Sequence, residues 1–299
     1  MIETQPLLRF LDVSYTWPDP ETGISTPGQK PVFDGFTAEI PAGFISLTGP
    51  NGAGKSTFML LAGGRVMPDA GRIEILGHNT RILSGVQADD SGTPGSGLTQ
   101  EIEYRRNLVC SFLYQNMEFD PGNDGSLPVG SLLEFVYANG GHRSKDEQFF
   151  SSVLHTFELE NLGKRKLDAL SKGEIQRVLL AFSALYGSQV IMMDEPVFAM
   201  EAYQKEKALE FFVDLHRRTG VSVLVSLHEL SLTRKYADTV MLFYPDRRID
   251  LGTCEEVLVP EALEEAYGVP VAMLHDTERL AREHFRECGE VFRKTEQAG

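Results

Sequence analysis

The run Gly49, Pro50, Asn51, Gly52, Ala53, Gly54, Lys55, Ser56 and Thr57 has the spacing G-x-x-x-x-G-K-[ST], which is suited to holding phosphates. It follows the apolar stretch Phe44–Thr48 and precedes a helix-like one, the context a phosphate cradle requires. Glycines let the backbone curl so that successive N–H groups point into one concavity, and a following helix adds its positive N-terminal end. Lys55 is then expected to reach the β- and γ-phosphates of a nucleotide, and the Ser56 hydroxyl to coordinate magnesium. A glycine-rich turn that merely caps a helix is the competing reading, and the strand-loop-helix context weighs against it.

A second group of candidates lies at the end of the apolar run Val190–Met193, where Asp194 and Glu195 emerge together at the edge at which open α/β sheets bind ligands. Asp194 is the candidate magnesium partner. Glu195 is placed to accept a proton from an attacking water, a general-base role worth about 10²- to 10⁴-fold in rate, or roughly 3 to 5 kcal/mol of barrier. Alone, an acidic pair before Pro196 reads as a turn; downstream of a phosphate loop it reads as part of a site. Further upstream, Leu170, Ser171, Lys172, Gly173 and Glu174 open an amphipathic stretch, with Ser171 and Glu174 at the spacing of a capping box.

These candidates need a scaffold. The apolar runs at 44–48, 190–193, 221–226 and 240–243 read as strands buried on both faces, as in a parallel sheet covered by helices. Helical periodicity runs through Ile175, Val178, Leu179, Phe182, Leu185 and Tyr186, and again through 209–215. This alternation predicts an α/β fold. From 107 to 169 the strand signal fades and helix-like stretches at 132–138 and 148–157 dominate, so 108–169 is expected to be a helical subdomain inserted into a core of 1–107 and 170–275. Segments 18–31, 84–99 and 120–130 read as loops. The tail, 276–299, carries an apolar stripe at Leu280, Phe285, Cys288 and Phe292.

Composition narrows the partners. A formal net charge of −15 disfavours a broad grip on nucleic acid and direct adhesion to an anionic leaflet, but a bound nucleotide needs only a local field. Cys110, Cys254 and Cys288 lack the paired spacings of zinc sites or disulfide frameworks, which points to a reduced compartment and no structural metal. No apolar run approaches eighteen residues, so a cytosolic protein is expected.

Taken in order, these motifs resemble the ATP-binding cassette family over roughly 8–271, because 170–174 looks like its signature, usually Leu-Ser-Gly-Gly-Gln, and lies just before the acidic strand. The resemblance implies a P-loop NTPase core with a mainly parallel sheet, an N-terminal antiparallel β portion and an inserted helical subdomain. It also implies a head-to-tail pair of cassettes binding ATP and Mg²⁺, in which Ser171, Gly173 and Glu174 of one copy close on the nucleotide of the other. Lys172 and Glu174 depart from the usual signature. By the same resemblance Gln115 contacts magnesium and water, His228 bonds the γ-phosphate, and Trp17 stacks on adenine, with Tyr15 as a nearby rival. Glu201 stands where the family usually has aspartate and is left out of the catalytic set.

The implied function is the ATP-hydrolysing subunit of a transporter, peripheral on the cytoplasmic face of the membrane and touching it only through a permease. The stretch 235–271 is similar to ATPases of importers for iron-siderophore complexes, haem and vitamin B12. A soluble cassette ATPase, serving iron-sulfur cluster assembly or another mechanochemical task, is the alternative.

Overall fold

A computed structural model of the chain describes residues 5–19, 28–85, 100–115, 117, 125–142 and 144–274. Most of the expected loop 18–31, nearly all of 84–99, residues 120–124 and the whole tail 276–299 with its apolar stripe lie outside the described residues.

Strands β1 (Leu8–Tyr15) and β2 (Phe33–Ile40) pair antiparallel, and β3 (Phe44–Thr48) leads through the glycine-rich loop into α1 (Lys55–Ala62). Next come β4 (Ala70–Ile75), β5 (His78–Asn79), α2 (Thr80–Leu83), α3 (Gln100–Val109) and β6 (Cys110–Leu113). Helices α4 (Val129–Asn139) and α5 (Glu147–Thr156) precede a 3-10 turn at Leu167–Ala169 and the long α6 (Lys172–Tyr186). The second half alternates β7 (Val190–Met193), α7 (Ala202–Thr219), β8 (Ser222–Ser226), α8 (Leu230–Tyr236) and β9 (Thr239–Phe243). It ends in β10 (Ile249–Gly252), α9 (Cys254–Val257) and α10 (Pro260–Tyr267).

Two sheets result. One is antiparallel, ordered β2-β1-β4-β5; the other is ordered β10-β9-β3-β8-β7-β6 and is parallel except for its edge strand β10. The period of two along each central strand sorts its side chains between two cores. Ile45, Leu47, Val190, Met192 and Leu224 pack with α1 and the antiparallel sheet. Phe44, Ile191, Met193, Val223 and Val225 pack on the other face, with α4, α5, α6 and α7. Every position of β3, β7 and β8 is therefore buried, and the strand ends carrying the candidate chemistry are held rigidly in register.

Two of the four expected strands match at both ends, and the other two differ by one residue at their start, Ser222 one later and Thr239 one earlier than read from sequence. The stretch 108–169 is not wholly helical. Cys110–Leu113 forms an edge strand paired with β7, from Cys110 opposite Val190 to Leu113 opposite Met193. Only four residues long, interrupted by Ser111 and entered directly from α3, it is too short to produce a strand period in the sequence. The helical part proper consists of α4 and α5, both packed on α6. That helix is fixed at each end, by a Ser171 capping box and by Gly187 in the left-handed region at φ 79°, and it buries Val178, Leu179, Leu180, Ala181 and Leu185. Fully burying one such branched side chain is worth about 1.5–3 kcal/mol, so the helix and the serine at its tip are locked in register.

Candidate active site

The glycine-rich loop is shaped by close approach. Gly49 has φ 134°, and a Cβ there would lie 2.4 Å from the Phe243 carbonyl oxygen, so no other residue fits without moving β9. Gly54, at φ 108°, is the N-cap of α1 and offers no side-chain cap, so the first N–H groups of that helix are available to an anion. Lys55 folds back over the loop, its ammonium donating to the carbonyls of Gly49 at 2.7 Å and Pro50 at 3.0 Å. Burial pushes this amine below its ordinary pKa, against the opposing pull of the Glu195 and Asp194 carboxylates. A cleft of about 440 Å³ opens over the loop, with Trp17, Lys55, Ser56, Gln115, Glu195 and Arg247 among its walls.

Trp17, and not Tyr15, reaches this cleft. Its indole N–H donates to the Thr57 hydroxyl at 3.0 Å, and its ring meets Tyr15 edge-on with centroids 5.2 Å apart. Tyr15 is buried beneath it, its phenol pushed up to about 12 by desolvation and by the Asp69 carboxylate.

The carboxylates are held by the ends of three neighbouring strands. The amide of Asp194 donates to the Leu113 carbonyl at 2.9 Å, and its side chain is only 6% exposed. The Ser226 hydroxyl, at the end of β8, donates to Asp194 Oδ1 at 2.6 Å and accepts the Glu195 amide at 2.7 Å. Glu195 has a left-handed backbone, φ 51°, which costs a non-glycine residue on the order of 1–3 kcal/mol and persists only where surrounding bonds enforce it. Its two oxygens are both engaged: Oε1 lies 2.5 Å from His228 Nε2, and Oε2 accepts from Gln115 Nε2 at 2.8 Å. A carboxylate so oriented can act as a base toward a water in the adjoining cleft.

The three expected magnesium partners, the Ser56 hydroxyl, the Asp194 carboxylate and the Gln115 amide, carry the hard oxygen donors that Mg²⁺ prefers, and Ser56 and Gln115 line the same cleft. No group of three or more His, Cys, Asp or Glu side chains suited to a metal ion occurs among the described residues. Oxygen donors of this kind suit a magnesium ion that would take its remaining ligands from phosphates and water.

Ser171, Gly173 and Glu174 do not line this cleft. The Ser171 hydroxyl accepts from the Glu174 amide at 3.3 Å, and the Glu174 carboxylate takes the Ser171 amide at 2.8 Å and the Arg165 guanidinium at 2.7 Å. Lys172 is exposed beside them. Glu201 caps α7 in a box closed by Gln204.

Sequence reasoning missed Ser226 and Tyr267. The Tyr267 hydroxyl accepts the Gly49 amide at 3.0 Å and pairs with the Thr48 hydroxyl at 3.0 Å. Ser226 had a signal, since it closes an apolar strand two residues before His228. Tyr267 had none, standing 218 residues beyond the loop it touches.

The ABC transporter family model matches residues 34–198, more than half of the chain. The hemin import ATP-binding protein HmuV of Pseudomonas aeruginosa is 32% identical over 259 residues, covering 84% of this chain and 92% of that protein. The phosphonates import ATP-binding protein PhnC 2 of Nostoc sp. is 26% identical over 232 residues, covering 76% and 88%. A solved structure described as the ATP binding subunit of an ABC transporter superposes with a TM-score of 0.66 at 20% identity, over 91% of this chain and 98% of its own. The chain belongs to the ABC transporter family, as one of its ATPase domains.

Proposed function

We propose that this chain is the ATP-hydrolysing subunit of an ABC importer, acting as a head-to-tail pair that drives a membrane permease, with a metal chelate of the haem type as cargo. One observation carries the catalytic reading: Glu195 is held through both carboxylate oxygens, by Gln115 and His228, in the wall of the cleft that also contains Lys55 and Ser56. Phosphoryl transfer asks little covalent chemistry of a protein, and positioning with charge stabilisation dominates. The loop 49–57 and Lys55 bind the phosphates, Glu195 accepts the proton of the attacking water, and His228 and Gln115 orient it. Ser56, Asp194 and Gln115 would hold Mg²⁺, which would neutralise charge on the phosphates. Trp17 supplies an aromatic face for the base.

The pairing reading is supported by the position of Ser171 and Gly173 outside the cleft, on a helix N-terminus suited to an anion presented by another molecule. Exposed Phe198 and Tyr203, flanking Glu201, are apolar surface of the kind an interface covers. No helix among the described residues is long and apolar enough to cross a membrane. The cargo reading leans on the hemin relative, which aligns over more of its length than the phosphonate one.

The catalytic test is phosphate release by the wild type and by Glu195→Gln with MgATP. Loss of a general base is expected to cost about 10²-fold or more; equal turnover would sink the assignment. Purification from membranes then identifies the partner, and reconstitution with it scores uptake of hemin against a phosphonate. Recovery of soluble assembly factors in place of a permease would overturn the importer reading.

A further inference from the structure

The turn between β9 and β10 brings a second arginine-bearing segment to the phosphate loop. Its backbone is closed by Tyr244, whose amide donates to Arg248 at 3.0 Å and whose carbonyl accepts from Arg247 at 3.0 Å. Arg247 sits at φ 79°, a left-handed conformation that L side chains rarely adopt. The strained residue is an arginine, and its side chain reaches across 195 residues of sequence to donate from Nη1 to the Gly52 carbonyl. The same guanidinium passes 3.8 Å from where a Cβ on Gly54 would lie, and it forms part of the cleft wall.

No carboxylate of the described residues lies within ion-pair distance of Arg247, although the chain has 43 acidic residues against 28 basic ones. Its neighbour behaves conventionally: Arg248 pairs with Glu265 at 2.6 Å and lies over the Tyr244 ring at 3.9 Å. The buried Nε of Arg247 has no hydrogen-bond partner. An arginine offers five donors in a fork that suits phosphate oxygens.

We infer that Arg247 is a nucleotide-binding residue, which holds the phosphate loop by the Gly52 carbonyl and directs its remaining donors and charge to the phosphates of a nucleotide in the cleft. The inference rests on the reading of that cleft as the ATP site and adds a cation supplied from the far end of the chain. Lys55 is spent partly on its own loop carbonyls, so a second positive group strengthens a site in a strongly acidic protein.

The test is calorimetric titration of the full-length protein with MgATP, for the wild type, Lys55→Ala, Arg247→Ala, Arg247→Gln and Arg247→Lys, with thermal unfolding of each variant in the absence of nucleotide. A charge-assisted bond to phosphate predicts that Arg247→Ala weakens ATP binding about tenfold or more, and that Arg247→Gln does the same although it can still donate to Gly52. Arg247→Lys, which keeps the charge, is expected to recover most of the affinity. Binding by Arg247→Ala within twofold of wild type overturns the inference. So does full affinity in Arg247→Gln, which would make the residue a strut and not a ligand contact. Should Arg247→Ala unfold, the glutamine and lysine variants decide the matter. Absence of ATP binding by the wild type brings down the ATP-site reading itself, an outcome separate from wild-type binding that the Arg247 variants leave unaltered.

Discussion

Ser226→Ala tests whether the candidate catalytic carboxylates are positioned by the hydroxyl between them. In the native chain that hydroxyl donates to Asp194 at 2.6 Å and accepts the Glu195 amide at 2.7 Å, in a place where Asp194 is 6% exposed. A hydrogen bond to a charged group contributes about 1.5–3 kcal/mol and a neutral one about 0.5–1.5 kcal/mol. Removing both leaves about 2–4.5 kcal/mol at stake, divided between the fold and the site. The division follows from Glu195: its left-handed backbone at φ 51° loses the bond that holds its amide, and relaxation of that strain swings the carboxylate away. Turnover is therefore expected to fall about 10- to 100-fold, corresponding to roughly 1.4–2.8 kcal/mol of barrier, while unfolding stability falls by about 1–2 kcal/mol. The assays are phosphate release at saturating MgATP and urea unfolding without nucleotide. Ser46→Ala is the control, since its hydroxyl pairs with Thr233 at 2.9 Å in the same sheet but touches neither carboxylate; it should cost stability and leave turnover nearly intact. If Ser226→Ala loses stability while keeping wild-type turnover, the hydroxyl supports the sheet and not the chemistry, and the positioning argument fails.

Gly49→Ala is expected to abolish nucleotide binding, because the added methyl carbon would sit 2.4 Å from a backbone oxygen at φ 134°; the readout is emission of Trp17, the chain's one tryptophan, which should respond to MgATP in the wild type only, and an equal response in the variant would refute the close-packing argument. For Glu174, burial pushes the carboxyl up, but bonds from Ser171 and Arg165 outweigh it and hold the pKa below the ordinary 4.5. A carboxyl held low in the folded chain contributes stability that is present above the unfolded pKa and is lost as pH falls through the folded one. The stability difference between wild type and Glu174→Gln, measured by urea unfolding, should shrink as pH falls from 7 to below about 4.5. A difference that stays constant or grows over that range would contradict the sign.

The parts legible in the sequence were those governed by local rules. A glycine-lysine spacing, an apolar run ending in two acids and a capping box each fix geometry within a few residues, and β3, β7 and α6 stand where those signals placed them. Edge strand β6 was not legible, because four residues joined directly to a helix carry no period. Nor was the contact from Tyr267 to the Gly49 amide, which depends on α10 returning across the sheet. Composition likewise gave no hint of where single charges would lie: Arg165 offsets Glu174 in the signature segment through a bond spanning nine residues, while the bond from Arg247 to Gly52 spans 195.

What the structure adds is an account of how opposite charges share one cleft without cancelling. Lys55 and Glu195 line the same space, and a direct ion pair between them would neutralise both the phosphate-binding cation and the candidate base. No such pair forms. Lys55 is occupied by the carbonyls of Gly49 and Pro50, Glu195 by Gln115 and His228, and Asp194 by Ser226. Gln115 and Ser226 are neutral, so the bonds those two make fix direction without removing charge, and the lysine is held on carbonyls that a phosphate oxygen can replace. On this account Gln115 and His228 do more than aim Glu195. By engaging both its oxygens they also keep it off Lys55, so a cation and a candidate base coexist in a cleft of about 440 Å³.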